Sequence, residues 1–267
     1  MKNIFLTGAS SGIGLAIAQS LIARGDDVWG TSRNLIHLEE VQGLHPVRLD
    51  LGDARSIADT FKSALGDAGH FDVVINNAGS GHFDVAEHLS GEDIEQQFQI
   101  LVFGHLQLMR LAIQAMRTRG SGLIINVTSL ASRLPVPFMA AYNAAKAAMA
   151  SFTMSIQLEL PDPNIRVVDL QPADICTAFN DAIPKRPESD PRYESRLVRT
   201  WNSVDQNMKN APKPELVAKH VLRLIDATNP PPRVTVGDTF QSKIAPLIFR
   251  LLPQRIRIWG LKTYYKI

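Results

Sequence analysis

The chain has 267 residues, 45% of them apolar and 20% charged, which is the make-up of a globular protein and excludes a disordered, collagenous or disulfide-stapled chain. Cys176 is the only cysteine, so no intrachain disulfide forms and a reducing cytoplasm is the expected compartment. The net charge of +2 hides an asymmetry: no acidic residue follows Asp238, whereas Lys243, Arg250, Arg255, Arg257, Lys262 and Lys266 do, leaving 22 basic against 26 acidic residues before them.

In chain order, short Val- and Ile-rich runs alternate with longer helical patterns. Strands are expected at 4–7, 28–31, 47–49, 73–75, 123–127, 165–169 and 233–236, and helices at 13–24, 56–64, 92–117, 141–159 and 215–226. Because the strand runs do not alternate with polar residues, both sheet faces are expected to be covered, as in a doubly wound α/β fold with seven parallel strands. Residues 1–238 are read as one dinucleotide-binding catalytic domain and 239–267 as a basic, apolar, helical C-terminal extension. Within the domain, 174–214 is expected to be an irregular insertion, with Pro184, Pro187, Pro191, Pro212 and Pro214 among Phe179, Tyr193 and Trp201. It is either a substrate-covering lid or a surface excursion, and the lid is weighed above the excursion. The N-terminus carries no export signal, and no stretch has the length of a membrane span, since Pro246 and Arg250 break the run 244–252.

The first strand runs into Thr7-Gly8-Ala9-Ser10-Ser11-Gly12-Ile13-Gly14 and then into a helix. Glycines at 8, 12 and 14 allow a tight turn and close approach of a pyrophosphate to the helix N–H groups. The second strand ends in Gly30-Thr31-Ser32-Arg33-Asn34, with no acid to take a ribose 2′-hydroxyl. Ser32 and Arg33 suit a 2′-phosphate, which favours NADP(H) over NAD(H); the alternative is an Arg33 that solvates a loop. Tyr142 and Lys146 stand four apart on one face of an alanine-rich helix, and Ser129 lies 13 residues before Tyr142, just past a strand end. A phenol needs a neighbouring cation to exchange protons near neutrality. Seven histidines show no metal-ligand spacing, so no metal is expected, and no recognition motif points to nucleic acid.

The Thr7–Gly14 turn, Asn76-Asn77-Ala78-Gly79, Ser129 and Tyr142-Asn143-Ala144-Ala145-Lys146 together resemble the short-chain dehydrogenase/reductase family over residues 1 to about 180. The resemblance implies that Tyr142 exchanges a proton with the substrate oxygen, that Ser129 hydrogen-bonds that oxygen, and that Lys146 holds the nicotinamide ribose and lowers the tyrosine pKa. It places Asp50 and Leu51 at adenine, Asn77, Ala78 and Gly79 at the adenosine ribose, and Ile175 and Thr177 over the nicotinamide carboxamide and phosphates. Two departures stand out: Leu101 where members often carry a relay Asn, and Ala173 where Pro-Gly is usual. The resulting expectation is NADPH-dependent interconversion of a carbonyl and an alcohol on a small, apolar substrate by a homodimer or homotetramer. The other reading is a dinucleotide-binding sensor with little turnover. Ile244, Leu247, Ile248, Leu251 and Leu252, at helical spacing among cations, either rest on an anionic membrane, border a lipophilic substrate, or pack on the body or on another subunit.

Overall fold

The computed structural model describes residues 1–183 and 190–267; Pro184 and Pro187 of the expected insertion lie outside them. Seven parallel strands form one sheet in the order β3-β2-β1-β4-β5-β6-β7. They are β1 Asn3–Leu6, β2 Asp27–Ser32, β3 Leu44–Arg48, β4 Val73–Asn76, β5 Gly122–Val127, β6 Ile165–Pro172 and β7 Arg233–Val236. Successive side chains of each strand point to opposite faces. Ile4, Leu6, Val73, Ile75, Leu123 and Ile125 therefore pack in one buried cluster, while Phe5, Val74 and Ile124 pack in another. Helices α1 Gly12–Ala23 and α7 Glu215–Asp226 cover the first face, and α2 Ala54–Ala68, α4 Gly104–Arg119 and α5 Ala140–Glu159 the second. The uninterrupted apolar runs of the sequence are this double covering.

Four elements differ from expectation. β3 begins at Leu44 and includes Pro46, which the sheet admits because β3 is an edge strand with one side unpaired. β6 runs on to Pro172, paired with Val236. The helix expected at 92–117 is three pieces: α3 Gly91–Phe98, a π-helical turn over Gln99–Phe103, and α4. The chain passes so close to the loop after β3 that a Cβ on Gly104 would lie 2.7 Å from the Leu51 carbonyl oxygen. The insertion is not irregular throughout, because Glu194–Asn210 is the helix α6. Leu197, Trp201, Val204 and Met208 recur along one of its faces, Leu197 and Trp201 packing against the Phe83 and Met139 cluster, a helical period that the flanking prolines obscured. In the extension, α8 Ala245–Leu251 carries Pro246 in its first turn, where an N–H has no intrahelical partner to lose. α9 Gln254–Tyr264 follows. No helix among the described residues is long and apolar enough to cross a membrane.

Candidate active site

The site is built where the strand order reverses, between the carboxyl ends of β1 and β4. The Thr7 hydroxyl accepts the N–H groups of Asn77 and Ala78 at 2.8 and 2.9 Å. The Asn77 amide in turn donates to the carbonyls of Thr7 and Gly8 at 3.0 and 3.2 Å. These bonds fix the two strand ends and leave a cleft between them, as expected at a topological switch point. Glycine is required here. Gly8 has φ +71° and its backbone lies against Ala78; a Cβ on Gly14 would sit 1.9 Å from the Gly8 carbonyl oxygen. Ser11 precedes α1 without capping it, so the first-turn N–H groups of Gly12, Ile13 and Gly14 face the cleft without a side-chain partner. The exposed Arg33 borders the same cleft and pairs with no acidic side chain among the described residues. Uncapped amides beside a free guanidinium are the donor set a phosphorylated dinucleotide needs, and the residues present fit that group.

Across the cleft, α5 begins two residues before Tyr142 and sets Tyr142 and Lys146 on its inner face, one turn apart. The Lys146 ammonium is 5.9 Å from the Tyr142 ring centroid and donates to the Val127 carbonyl at 2.9 Å. Burial holds Lys146 down at about 8, against an upward pull from the Asp169 carboxylate. Lys146 is therefore mostly charged at neutral pH and loses its proton as pH rises through about 8. Asp169 is itself 1% exposed, bonded by Arg233 at 2.8 Å and Gln171 at 2.7 Å. Withdrawal from water pushes the Tyr142 phenol above its ordinary value; the Ser129 hydroxyl draws it down, and the Asp174 charge adds to the rise. The phenol is thus protonated at neutral pH. The lowering that the resemblance implies for Lys146 is not found with the cleft as it stands: burial is the largest influence on Tyr142, and Ser129 is the group that draws it down.

Leu101, at the expected relay position, is fully buried and packs with Ala145 and Tyr142. Apolar packing has replaced a polar link there. One turn on, burial and Lys146 hold His105 at about 3, so it is neutral across the physiological range. Ala173 brings no strain, because φ is not positive there, and its methyl occupies the space left by Gly237, where a Cβ would lie 2.6 Å from it.

A cavity of about 740 Å³ collects Gly8, Ser10, Ser11, Gly12, Ile13, Gly14, Ser32, Arg33, Asp50, Leu51, Asn77, Ala78, Gly79, Ser129, Tyr142, Lys146, Ile175 and Thr177. These are the residues assigned from the sequence to the reaction and to the cofactor, and all of them border the cavity. It also takes in Asp174, Val204 and Met208 of α6 and Leu261 of the extension, which sequence reasoning did not assign, together with Ile248 and Leu252, whose helical spacing the sequence showed. The signal was the cluster of apolar and aromatic residues in the insertion and extension; what they face depends on long-range packing. Cys176 is exposed and outside the cavity. It follows Ile175, whose side chain takes the inward position.

Away from the cleft, ligand atoms of Glu87, His88 and Asp190 lie within 4.8 Å of one another. The Arg192 guanidinium supplies the positive charge of this group, 2.6 Å from Asp190 and 3.3 Å from Glu87.

Comparison with known proteins agrees with the geometry. The short chain dehydrogenase family matches residues 2–188. Over 99% of the chain and 98% of the relative, the sequence is 27% identical to a 3-ketodihydrosphingosine reductase of Bacteroides thetaiotaomicron. It is 31% identical to a carbonyl reductase [NADPH] 2 of Sus scrofa over 72% of the chain and 79% of that protein. An alcohol dehydrogenase of Thermococcus sibiricus, solved with 5-hydroxy-NADP, superposes with a TM-score of 0.73 at 26% identity, covering 90% of the chain and 97% of that structure. With the parallel sheet, the glycine turn and the Ser129, Tyr142 and Lys146 constellation on one cleft, the chain belongs to the short-chain dehydrogenase family of oxidoreductases.

Proposed function

We propose that this protein is an NADPH-dependent reductase of a long-chain ketone of the 3-ketodihydrosphingosine type. The observation that carries the reading is the continuity of one cavity, from Arg33 and the glycine turn, past Tyr142, to the apolar underside of α8 and α9. The relative of that name, similar over nearly the whole chain, supports the substrate class, and the relative named an NADPH carbonyl reductase supports the chemistry. When bound, the dinucleotide supplies the hydride. The first-turn N–H groups of α1 hold its pyrophosphate, Ser32 and Arg33 its 2′-phosphate, Asp50 and Leu51 its adenine, and Asn77, Ala78 and Gly79 the adenosine ribose. Ile175 and Thr177 close over the nicotinamide end, and Lys146 holds the neighbouring ribose hydroxyls. Ser129 orients the substrate oxygen and Tyr142 donates the proton that completes the alcohol. A phenol kept protonated at neutral pH suits the reducing direction.

Residues 1–238 form the catalytic unit in this reading, and 239–267 an extension that roofs the substrate. The outward faces of α8 and α9 expose Leu247, Leu251 and Trp259 at 61, 75 and 68%. With six cations and no acid after Asp238, this surface suits an anionic membrane from which a lipid substrate would enter. A second apolar patch on α5, with Phe152, Met154 and Leu158 exposed, suits self-association as a homodimer or homotetramer. The single cysteine keeps the cytoplasm as the proposed compartment.

The test is NADPH and NADH oxidation with 3-ketodihydrosphingosine and with a panel of other ketones and aldehydes. Turnover with NADPH, strongest on long-chain ketones, is expected. Equal rates with NADH would overturn the cofactor assignment. Tight NADPH binding without turnover on any carbonyl would make the protein a dinucleotide-binding sensor.

A further inference from the structure

The substrate half of the cavity contains a charge that hydride and proton transfer do not use. Asp174 follows β6 and borders the cavity, together with Tyr142, Tyr264 and Tyr265. One carboxylate oxygen accepts from the Gln241 amide at 2.5 Å, and the Asp174 N–H donates to the Gln241 carbonyl oxygen at 3.3 Å. The carboxylate is thereby clamped between the end of the sheet and the first turn of the extension. Its charge is felt by Tyr142 on one side and by Tyr264 and Tyr265 on the other. Among the described residues no basic side chain forms an ion pair with it, and Asp238 adds a second negative charge nearby. Lys146, the cation across the cleft, is committed to the Val127 carbonyl. Removing a carboxylate from water is unfavourable unless a cation or further donors complete it. A ligand that lies in the cavity between Asp174 and Tyr142 can bring that partner.

We infer that Asp174 is the specificity residue that receives a substrate ammonium one carbon away from the reacting carbonyl, so that the substrate class is a long-chain α-amino ketone. The inference rests on the reductase reading above and sharpens it. 3-Ketodihydrosphingosine has this pattern, with an amine next to its ketone and an alkyl chain for the apolar roof. The ammonium meets Asp174, the ketone oxygen meets Ser129 and Tyr142, and the chain runs under Ile248, Leu252 and Leu261. Recognition through a charged pair so close to the carbonyl orients the face presented to hydride and discriminates against plain ketones of equal length.

The test compares 3-ketodihydrosphingosine with the same ketone carrying hydrogen in place of the amine, and with its N-acetyl derivative, in wild type and in Asp174→Asn. Wild type is expected to prefer the free amine by about tenfold to a hundredfold in kcat/KM, the range of a charge-assisted hydrogen bond, with most of the difference in KM. In Asp174→Asn this preference is expected to collapse to about threefold or less, the neutral amide retaining only an uncharged hydrogen bond. A wild type that reduces all three ketones without preference overturns the role of Asp174 and leaves the reductase reading standing, as does an Asp174→Asn variant that keeps the full preference. A wild type that reduces no ketone overturns both. Should the variant fail to fold, the wild-type preference alone decides.

Discussion

The two walls of the cavity are built on opposite terms. The chemical wall stands on the buried ends of β1, β4 and β5 and on the inner face of α5, where Thr7 is fully buried and Lys146 is 5% exposed. Several of its polar groups are answered within the chain, as in the Thr7 and Asn77 bonds that tie β1 to β4. The roof, by contrast, is two short helices that place apolar side chains on both of their sides, toward the cavity and toward solvent. Rigid, satisfied groups are what proton and hydride transfer need, because misplacement by an ångström is costly there. A roof with unsatisfied apolar surface instead selects what docks on it and beneath it. Changes to the first wall should therefore alter chemistry and cofactor choice, and changes to the roof should alter lipid contact.

The largest effect is expected from Tyr142→Phe. Removing the proton donor should lower turnover by about a hundredfold to ten-thousandfold while NADPH affinity, read by fluorescence titration, stays near that of wild type. Undiminished turnover would remove Tyr142 from the mechanism. Next comes Arg33→Ala, which should weaken NADPH binding by about tenfold to a hundredfold. NADH binding should not change, since the lost contact is to the 2′-phosphate; an equal effect on both cofactors would turn Arg33 back into a loop cation. The smallest effect on the fold belongs to a triple replacement of Leu247, Leu251 and Trp259 by Ser. At 61, 75 and 68% exposure these side chains hold little of the core, so stability should move by about 0.5 kcal/mol or less per site. Co-sedimentation with phosphatidylserine-containing vesicles should fall about tenfold or more, because each replacement removes apolar area that the bilayer would bury. Vesicle binding as strong as that of wild type would assign this surface to something other than lipid.

The central strands β1, β4 and β5 were legible in the sequence because they are buried on both faces, and β7 matches its expected bounds. The boundary errors have local causes: Pro46 concealed the start of β3, and the prolines of the insertion concealed α6, although Leu197, Trp201, Val204 and Met208 recur there at helical spacing. The π-helical turn at Gln99–Phe103 left no sequence signal either, because the chain there is also shaped by its contact with the loop after β3. The alarm raised by Ala173 dissolves once Gly237 is placed against it, a pairing of residues 64 positions apart that no local pattern contains.

By itself the sequence determined the fold class and the glycine turn, and it singled out Ser129, Tyr142 and Lys146, because short runs of adjacent residues carry these signals. Only the tertiary structure decided that the Asp174 carboxyl borders the cavity with Tyr142 and what roofs that cavity. Asp174 and Gln241 acquire their meaning from a hydrogen bond across 67 residues of chain. The extension faces the cavity because α6, α8 and α9 converge over it. Local chemistry is written in adjacent residues, whereas a pocket's charge and shape arise from elements that meet only after the chain has closed on itself.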